Sequence, residues 1–194
     1  MEITITPPDI SIVIPLYNEE DSFEMLTTRI LSLTNQYPLK FEIILVDDGS
    51  LDRTAEKMKT LALEDPRVHA VFLSRNFGQQ TALAAGLRFV NASKAVMILD
   101  GDLQDPPELF GEFYQRFLEG FEVVYAIRKS RKSSLMLKIG YLLFYRIMQK
   151  FSYIHIPIDS GDFSLMSRRV VNHINAMPEE SRFNRGLRAC VGVK

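Results

Sequence analysis

An α/β fold, with a mostly parallel central sheet covered by helices on both faces, is predicted by three features of the 194-residue sequence. Short apolar runs alternate with segments whose apolar residues recur at helical spacing. A polar cluster follows the end of each run. The composition, 46% hydrophobic and 24% charged with 13 Phe and 7 Tyr, supports a packed core and argues against disorder. The length suits one domain of ~100–200 residues, and neither a repeat nor a low-complexity linker interrupts it.

The elements follow in order. Residues 9–14 read as a first strand, closed by Pro15; Phe23, Leu26, Ile30 and Leu33 then recur at helical spacing until Tyr37-Pro38 stops the helix. Phe41 to Val46 is a buried strand ending in Asp47-Asp48-Gly49-Ser50, and Asp52 is the N-cap of a helix reaching Leu63. Val68 to Leu73 forms a third strand, Thr81 to Val90 a helix, and Ala95 to Leu99 a fourth strand followed by Asp100-Gly101-Asp102. Pro106-Pro107 opens a helix through Phe110, Phe113 and Phe117 that Gly120 ends, and Val123 to Ile127 is a fifth strand.

Ligands of such sheets bind outside the carboxyl ends of the strands. The polar clusters gather there: Tyr17-Asn18-Glu19, Asp47-Asp48, Arg75-Asn76, Asp100 with Asp102, and Arg128.

Charge and composition exclude several classes. A net charge of −1 supplies no global polybasic field, so nucleic acid is not an expected partner. Val123 to Ile158 nevertheless contains seven bases and no acid, leaving 16 basic against 24 acidic residues elsewhere. That block is a local site for anions. Cys190 is the single cysteine, which removes a disulfide framework and a cysteine-based zinc site. His69, His155 and His173 are far apart, against a histidine-rich metal site. No signal segment opens the chain, and its longest uncharged apolar run, Ile139 to Tyr145, is far short of the ~20 residues that cross a bilayer. The chain alone is therefore expected to be soluble, intracellular and reduced.

Asp100 and Asp102 flank a glycine directly after an apolar strand. Extended i, i+2 residues point the same way, so both carboxylates can meet one magnesium or manganese ion that keeps positions open for substrate phosphates. An isolated pair of this kind often only caps a turn; the strand before it and Gln104-Asp105-Pro106-Pro107 after it favour the metal. Of Asp47 and Asp48, one suits an Asx turn and the other a base or ribose. Tyr17 can stack on a base and Glu19 can accept from ribose hydroxyls, although early acids also suit a helix start. Neither GxxxxGK[ST] nor GxGxxG occurs. A nucleotide held here needs a metal and arginines for its phosphates, and Arg75 belongs with its candidate ligands.

The segments SIVIPLYNEE, ILVDDGSLDRT, LSRNFGQQTALAAGL and MILDGDLQDPPEL, in this order and spacing, resemble the family 2 glycosyltransferases of GT-A fold. The resemblance is strongest to the polyprenyl-phosphate branch, which includes dolichyl-phosphate mannose synthase and bacterial polyprenyl-phosphate glycosyltransferases, and it covers about residues 10–190. It implies that Pro15, Tyr17 and Glu19 line a nucleotide pocket and that Asp47 or Asp48, the first preferred, reads the base. Asp100 and Asp102 would hold the metal, with Gln104 a further ligand. Asp162, in Asp159-Ser160-Gly161-Asp162-Phe163, would be the base beside the acceptor, and Arg182 or Arg185 would hold phosphate. The resemblance also implies inversion at the anomeric carbon, and SRNFGQQ favours a UDP-sugar donor.

Residues 128–151 read as a basic, apolar interfacial segment for a membrane surface, with a core helix as the plainer alternative. Arg128 and Arg131 lie near enough to the sheet edge to hold an acceptor phosphate. The branch continues into C-terminal transmembrane helices, whereas this chain stops in what reads as an interrupted strand. The expectation is a piece of a longer enzyme acting on the cytoplasmic side of a membrane; a homo-oligomer is compatible with it. A transferase with a saccharide acceptor and a silent nucleotide-binding domain are the alternatives. A haloacid-type phosphotransferase needs its nucleophile on the first strand, and a receiver-like module leaves Asp100-Gly101-Asp102 without a role.

Overall fold

The computed structural model describes residues 6–127 and 160–177. Its elements are β1 (Ile10–Leu16), α1 (Phe23–Gln36), β2 (Phe41–Asp47), α2 (Thr54–Glu64), β3 (Val68–Phe72), α3 (Gln79–Leu87) and β4 (Ala95–Ile98). A 3-10 turn (Pro107–Leu109) leads into α4 (Phe110–Leu118), followed by β5 (Val123–Ile127), β6 (Ser160–Ser167) and α5 (Arg168–Ala176). The described strands form one sheet in the order β3-β2-β1-β4-β6-β5. β1 to β4 pair in parallel, and β6 runs antiparallel between β4 and β5. The sheet is mostly parallel, as the alternation predicts.

β1 and β2 are buried along their whole length, as central strands covered on both faces must be. On one face, Phe23, Leu26 and Ile30 of α1, Met58 of α2, and Phe110 and Phe113 of α4 pack against Ile12, Ile14, Leu45 and Met97. Phe110 anchors this layer by meeting Tyr37 and Phe41 edge-on, with centroids 5.0 and 5.4 Å away. On the other face, Ala82, Leu83 and Leu87 of α3 and Val170, Val171 and Ile174 of α5 cover Val13, Ile44, Val46 and Ile98.

Several boundaries differ from the sequence reading for physical reasons. β1 continues through Pro15. Val13 O accepts from Leu99 N, so Pro15, two residues on, turns its missing N–H to that same side, past the end of the β1–β4 ladder at Val13–Ile98. Pairing with β2 meanwhile runs on to Leu16–Asp47. α2 begins at Thr54, and Asp52 stands outside the cap position while still accepting from Thr54 N at 2.9 Å. α3 starts at Gln79 and ends at Leu87, short of the expected Val90. β6 and α5 are absent from the sequence reading. The reversed direction of β6 carries its amino end to the edge where the parallel strands present their carboxyl ends.

The segment 128–151, with Arg128 and Arg131, and also Arg182, Arg185, His155 and Cys190, lie outside the described residues. Among the described residues no helix is long and apolar enough to cross a membrane.

Candidate functional site

The loops after β1 and β2 are laced together. Asn18, with a φ of +54 that asparagine tolerates better than most residues, donates from its N–H to Ser50 Oγ at 3.0 Å and accepts from Leu51 N at 2.8 Å. Glu19 N donates to Thr54 Oγ1 at 2.9 Å, and Glu20 N to Asp52 Oδ2 at 3.1 Å. Tyr17 and Glu19 are thereby held on a fixed ledge.

Asp47 and Asp48 are both buried, and their side chains serve the backbone. Asp47 Oδ1 accepts from Ser50 N at 3.1 Å, an Asx turn. Asp48 accepts from Phe77 N at 2.8 Å and Gly78 N at 2.9 Å, fixing the entry to α3. Gly49 adopts a φ of +70, and a Cβ there would lie 2.4 Å from the Arg75 carbonyl carbon. Only glycine fits between those two loops.

A cavity of about 290 Å³ opens at this edge, at the lower end of the size of small-molecule sites. Pro15, Leu16, Tyr17 and Glu19 form one wall; Asp48, Asn76, Gly78 and Gln79 form another; Asp100, Gly101 and Asp102 complete it. Tyr17 is 41% exposed, leaving a ring face for stacking. The turn between the two acids sits directly on the end of β1. A Cβ at Gly101 would meet Leu16 Cδ2 at 2.5 Å and Pro15 O at 3.1 Å. Leu103, at a φ of +60, turns the chain away in a conformation costing a branched side chain about 1–2 kcal/mol.

Asp100 is the electrostatic centre of the edge. Burial raises its pKa first, the charges of Asp162, Asp105 and Asp102 add to this, and the Gln79 amide pulls the other way; the result is about 6. Gln79 Nε2 donates to Asp100 Oδ1 at 2.7 Å. The last β4–β6 pair is Ile98 with Ser164; Asp100 follows two residues after the first and Asp162 precedes the second by two, near enough for its charge to act on Asp100. Gln80 Nε2 donates to Asp162 Oδ2 at 2.8 Å.

These donors fit a hard divalent cation, whose charge would relieve the repulsion that raises Asp100. Among the described residues, no three acidic, histidine or cysteine side chains are arranged to hold a metal unaided. A cation bridged by two carboxylates would draw its remaining oxygens from water and substrate, as magnesium commonly does.

Of the residues singled out by sequence, the cavity brings together Pro15, Tyr17, Glu19, Asp48, Asp100 and Asp102. Asp47, Arg75, Gln104 and Asp162 do not line it. The Arg75 guanidinium lies over the Phe77 ring, 4.8 Å from its centroid. Gln104 donates through its backbone N to Asp102 Oδ1 at 3.0 Å. Asp162 is fully buried. Sequence reasoning missed the roles of Gln79 and Gln80, whose only sequence signal is their place at the start of the helix after SRNFG.

An open, mostly parallel sheet with a reversed strand beside β4 and acids at its carboxyl edge defines the GT-A class of fold. The chain belongs to glycosyl transferase family 2, whose sequence profile matches residues 11–174. It is 42% identical over 187 residues to an uncharacterized glycosyltransferase of Synechocystis sp., covering 96% of this chain and 58% of that protein. It is 36% identical over 184 residues to the bactoprenol glucosyl transferase of Shigella phage SfV, covering 94% of this chain and 60% of the relative. The chain thus spans somewhat over half the length of these relatives. Among solved structures, a mannosyltransferase of Pyrobaculum calidifontis in complex with GDP-Man and Mn2+ superposes with a TM-score of 0.60 at 20% identity, covering 90% of this chain and 48% of that one. Glucosyl-3-phosphoglycerate synthase of Mycobacterium tuberculosis, in complex with Mn2+, UDP and phosphoglyceric acid, gives 0.58 at 22% identity, covering 86% and 58%. These two likenesses concern the fold.

Proposed function

We propose that this chain is the catalytic part of a metal-dependent glycosyltransferase that moves a sugar from a nucleotide sugar, a UDP-sugar by preference, to polyprenyl phosphate with inversion. The observation that carries the reading is the cavity at the carboxyl edge. Tyr17 and Asp48 line it together with Asp100-Gly101-Asp102, in a chain 36% identical to a bactoprenol glucosyl transferase.

The ledge of Tyr17 and Glu19 offers a stacking surface and a carboxylate to a nucleoside. Asp48 supports the wall by holding Phe77 and Gly78, and Asp47 shapes the turn beside it. Asp100 and Asp102 would hold magnesium or manganese, which when bound supplies positive charge to a diphosphate leaving group. Arg75, whose guanidinium lies over the Phe77 ring, is proposed for the nucleotide phosphates on sequence alone. Arg128, Arg131, Arg182 and Arg185 are proposed for the phosphate of the acceptor, and the basic 128–151 segment for an anionic membrane surface, on sequence alone.

A phosphate monoester has a second pKa of about 6 and is already a nucleophilic anion near neutral pH. Such an acceptor needs little general-base assistance. A fully buried Asp162 fits this chemistry as part of the negative charge gathered around Asp100 rather than as a group that meets the acceptor.

The test is product formation by the purified chain from UDP-glucose or UDP-N-acetylglucosamine with undecaprenyl phosphate in detergent, with Mn2+ or with EDTA. The reading expects a glycosylated lipid phosphate with Mn2+ and none with EDTA or with undecaprenol. Transfer to a saccharide acceptor instead would replace the acceptor in this reading and leave the donor site intact.

A further inference from the structure

Each of the two acids in the Asp100-Gly101-Asp102 turn commits one carboxylate oxygen to an N–H. Asp100 Oδ1 accepts from Gln79 Nε2 at 2.7 Å, and Asp102 Oδ1 accepts from Gln104 N at 3.0 Å. The second contact is local, made within the turn itself. The first comes from another element and depends on a single side chain. Gln79 opens α3 and lines the cavity beside both acids. Its backbone is fixed from two sides. Asp48 accepts from Phe77 N and Gly78 N just before it, and Ala82 and Leu83 just after it are buried in the core. An ionised carboxylate repels the amide oxygen, so the nitrogen is the atom that faces Asp100.

Which oxygens remain decides how a cation is held. A carboxylate with both oxygens open can grip a large ion such as Ca2+ in bidentate fashion, and Ca2+ takes about six to eight oxygens in flexible geometry. Smaller ions such as Mg2+ demand a near-ideal octahedron, bind through one or two carboxylates and keep their other positions for water and phosphate. An amide N–H on Oδ1 takes up electron density that a two-oxygen grip would need, and it leaves Oδ2 as the better ligand. We propose that Gln79 is a specificity-determining positioning residue, which limits Asp100 to one-oxygen coordination and so selects a small octahedral cation, Mg2+ or Mn2+, over Ca2+. The proposal rests on the metal-dependent reading above and extends it from whether a cation is bound to which one.

The experiment is calorimetric titration of the whole chain with Mn2+ and, separately, with Ca2+, each with and without UDP, for wild type, Gln79→Met and Thr81→Val. Electron paramagnetic resonance of free Mn2+ checks the first titration, and thermal midpoints without metal are measured alongside. Wild type should prefer Mn2+. Methionine keeps the length of the side chain and removes the donor, so Mn2+ affinity falls about tenfold while Ca2+ affinity holds or rises, and the preference narrows by about tenfold or more. The Thr81 hydroxyl donates to Phe77 O at 3.2 Å, so Thr81→Val disturbs the start of α3 without touching Asp100 and should leave the preference unchanged. A purely structural role of Gln79 predicts instead a lower thermal midpoint with the preference unchanged. Three results would overturn the role of Gln79 and leave the metal-dependent reading standing: wild type that takes Ca2+ as tightly as Mn2+, a folded Gln79→Met that keeps the wild-type preference, or an equal narrowing in Thr81→Val. Wild type that does not bind Mn2+, with or without UDP, would bring down the metal-dependent reading and this proposal with it.

Discussion

Asp100 and Asp162 each lie two residues from the last β4–β6 pair, Ile98 with Ser164, and after burial the charge of Asp162 is the largest influence raising Asp100 to about 6. The negative charge gathered here opposes the ionisation of Asp100. The same arrangement makes the edge a place for positive charge.

The first consequence concerns pH. The folded pKa of Asp100 lies above the value of 3.8 that it has in an unfolded chain. Ionisation of Asp100 therefore opposes folding, and stability falls as pH rises from about 4 through about 6. Asp100→Asn removes this effect. Thermal melting at pH 7.5 in EDTA should place the variant above wild type by the equivalent of about 1–3 kcal/mol, with the difference vanishing near pH 4. A variant less stable than wild type at pH 7.5 would contradict the assignment of the charge cluster.

Asp48→Ala removes the acceptor of Phe77 N at the entry to α3 and leaves Gly78 N with Asn76 Oδ1 at 3.0 Å. Denaturant unfolding should register a loss of about 1–3 kcal/mol. Nucleotide affinity should fall with it, since Asn76, Gly78 and Gln79 form a wall of the cavity.

Gly49 and Gly78 separate two kinds of constraint. Both have positive φ, +70 and +92, but a Cβ at Gly49 meets Arg75 backbone at 2.4 Å while one at Gly78 meets nothing within 4 Å. Gly78→Ala should cost about 1 kcal/mol, the conformational strain alone. Gly49→Ala should cost clearly more in the same urea titrations, because the loop after β3 must move. Equal losses would mean that the loops after β2 and β3 are not packed as described.

Much of this edge was legible in the sequence because it depends on short-range pattern. β1 to β5 announce themselves as apolar runs, and the acids after β2 and β4 follow from where those runs stop. What depends on pairing was not legible. Pro15 reads as a terminator until the shorter β1–β4 ladder leaves its nitrogen without a partner to serve. β6 went unread because its residues were taken up by the Asp159–Phe163 motif, and nothing local says that the strand inserts between β4 and β5. The adjacency of Asp162 to Asp100 follows from that insertion alone. Gln79 and Gln80 look like ordinary helix formers until the carboxylates opposite them are in place. Asp47 and Asp48 were expected to divide turn-making and base recognition between them; both bind backbone N–H groups, and only Asp48 lines the cavity.

The burial of Asp162 makes a prediction about rate. Asp162→Asn keeps an acceptor for Gln80 and removes one charge, whereas Asp100→Ala removes a candidate ligand. Steady-state assays should find a loss of about 10²-fold or more for Asp100→Ala and a smaller loss for Asp162→Asn. An equal or greater loss for Asp162→Asn would make it a group that meets the acceptor.

The most direct test of a metal-assisted nucleotide site is calorimetric titration of the chain with UDP and with GDP, each with and without Mn2+, in wild type and Asp102→Ala. The account predicts UDP binding that requires Mn2+, exceeds GDP binding and is lost in Asp102→Ala. Folded wild type that binds neither nucleotide, or binds UDP equally well in EDTA, would contradict it.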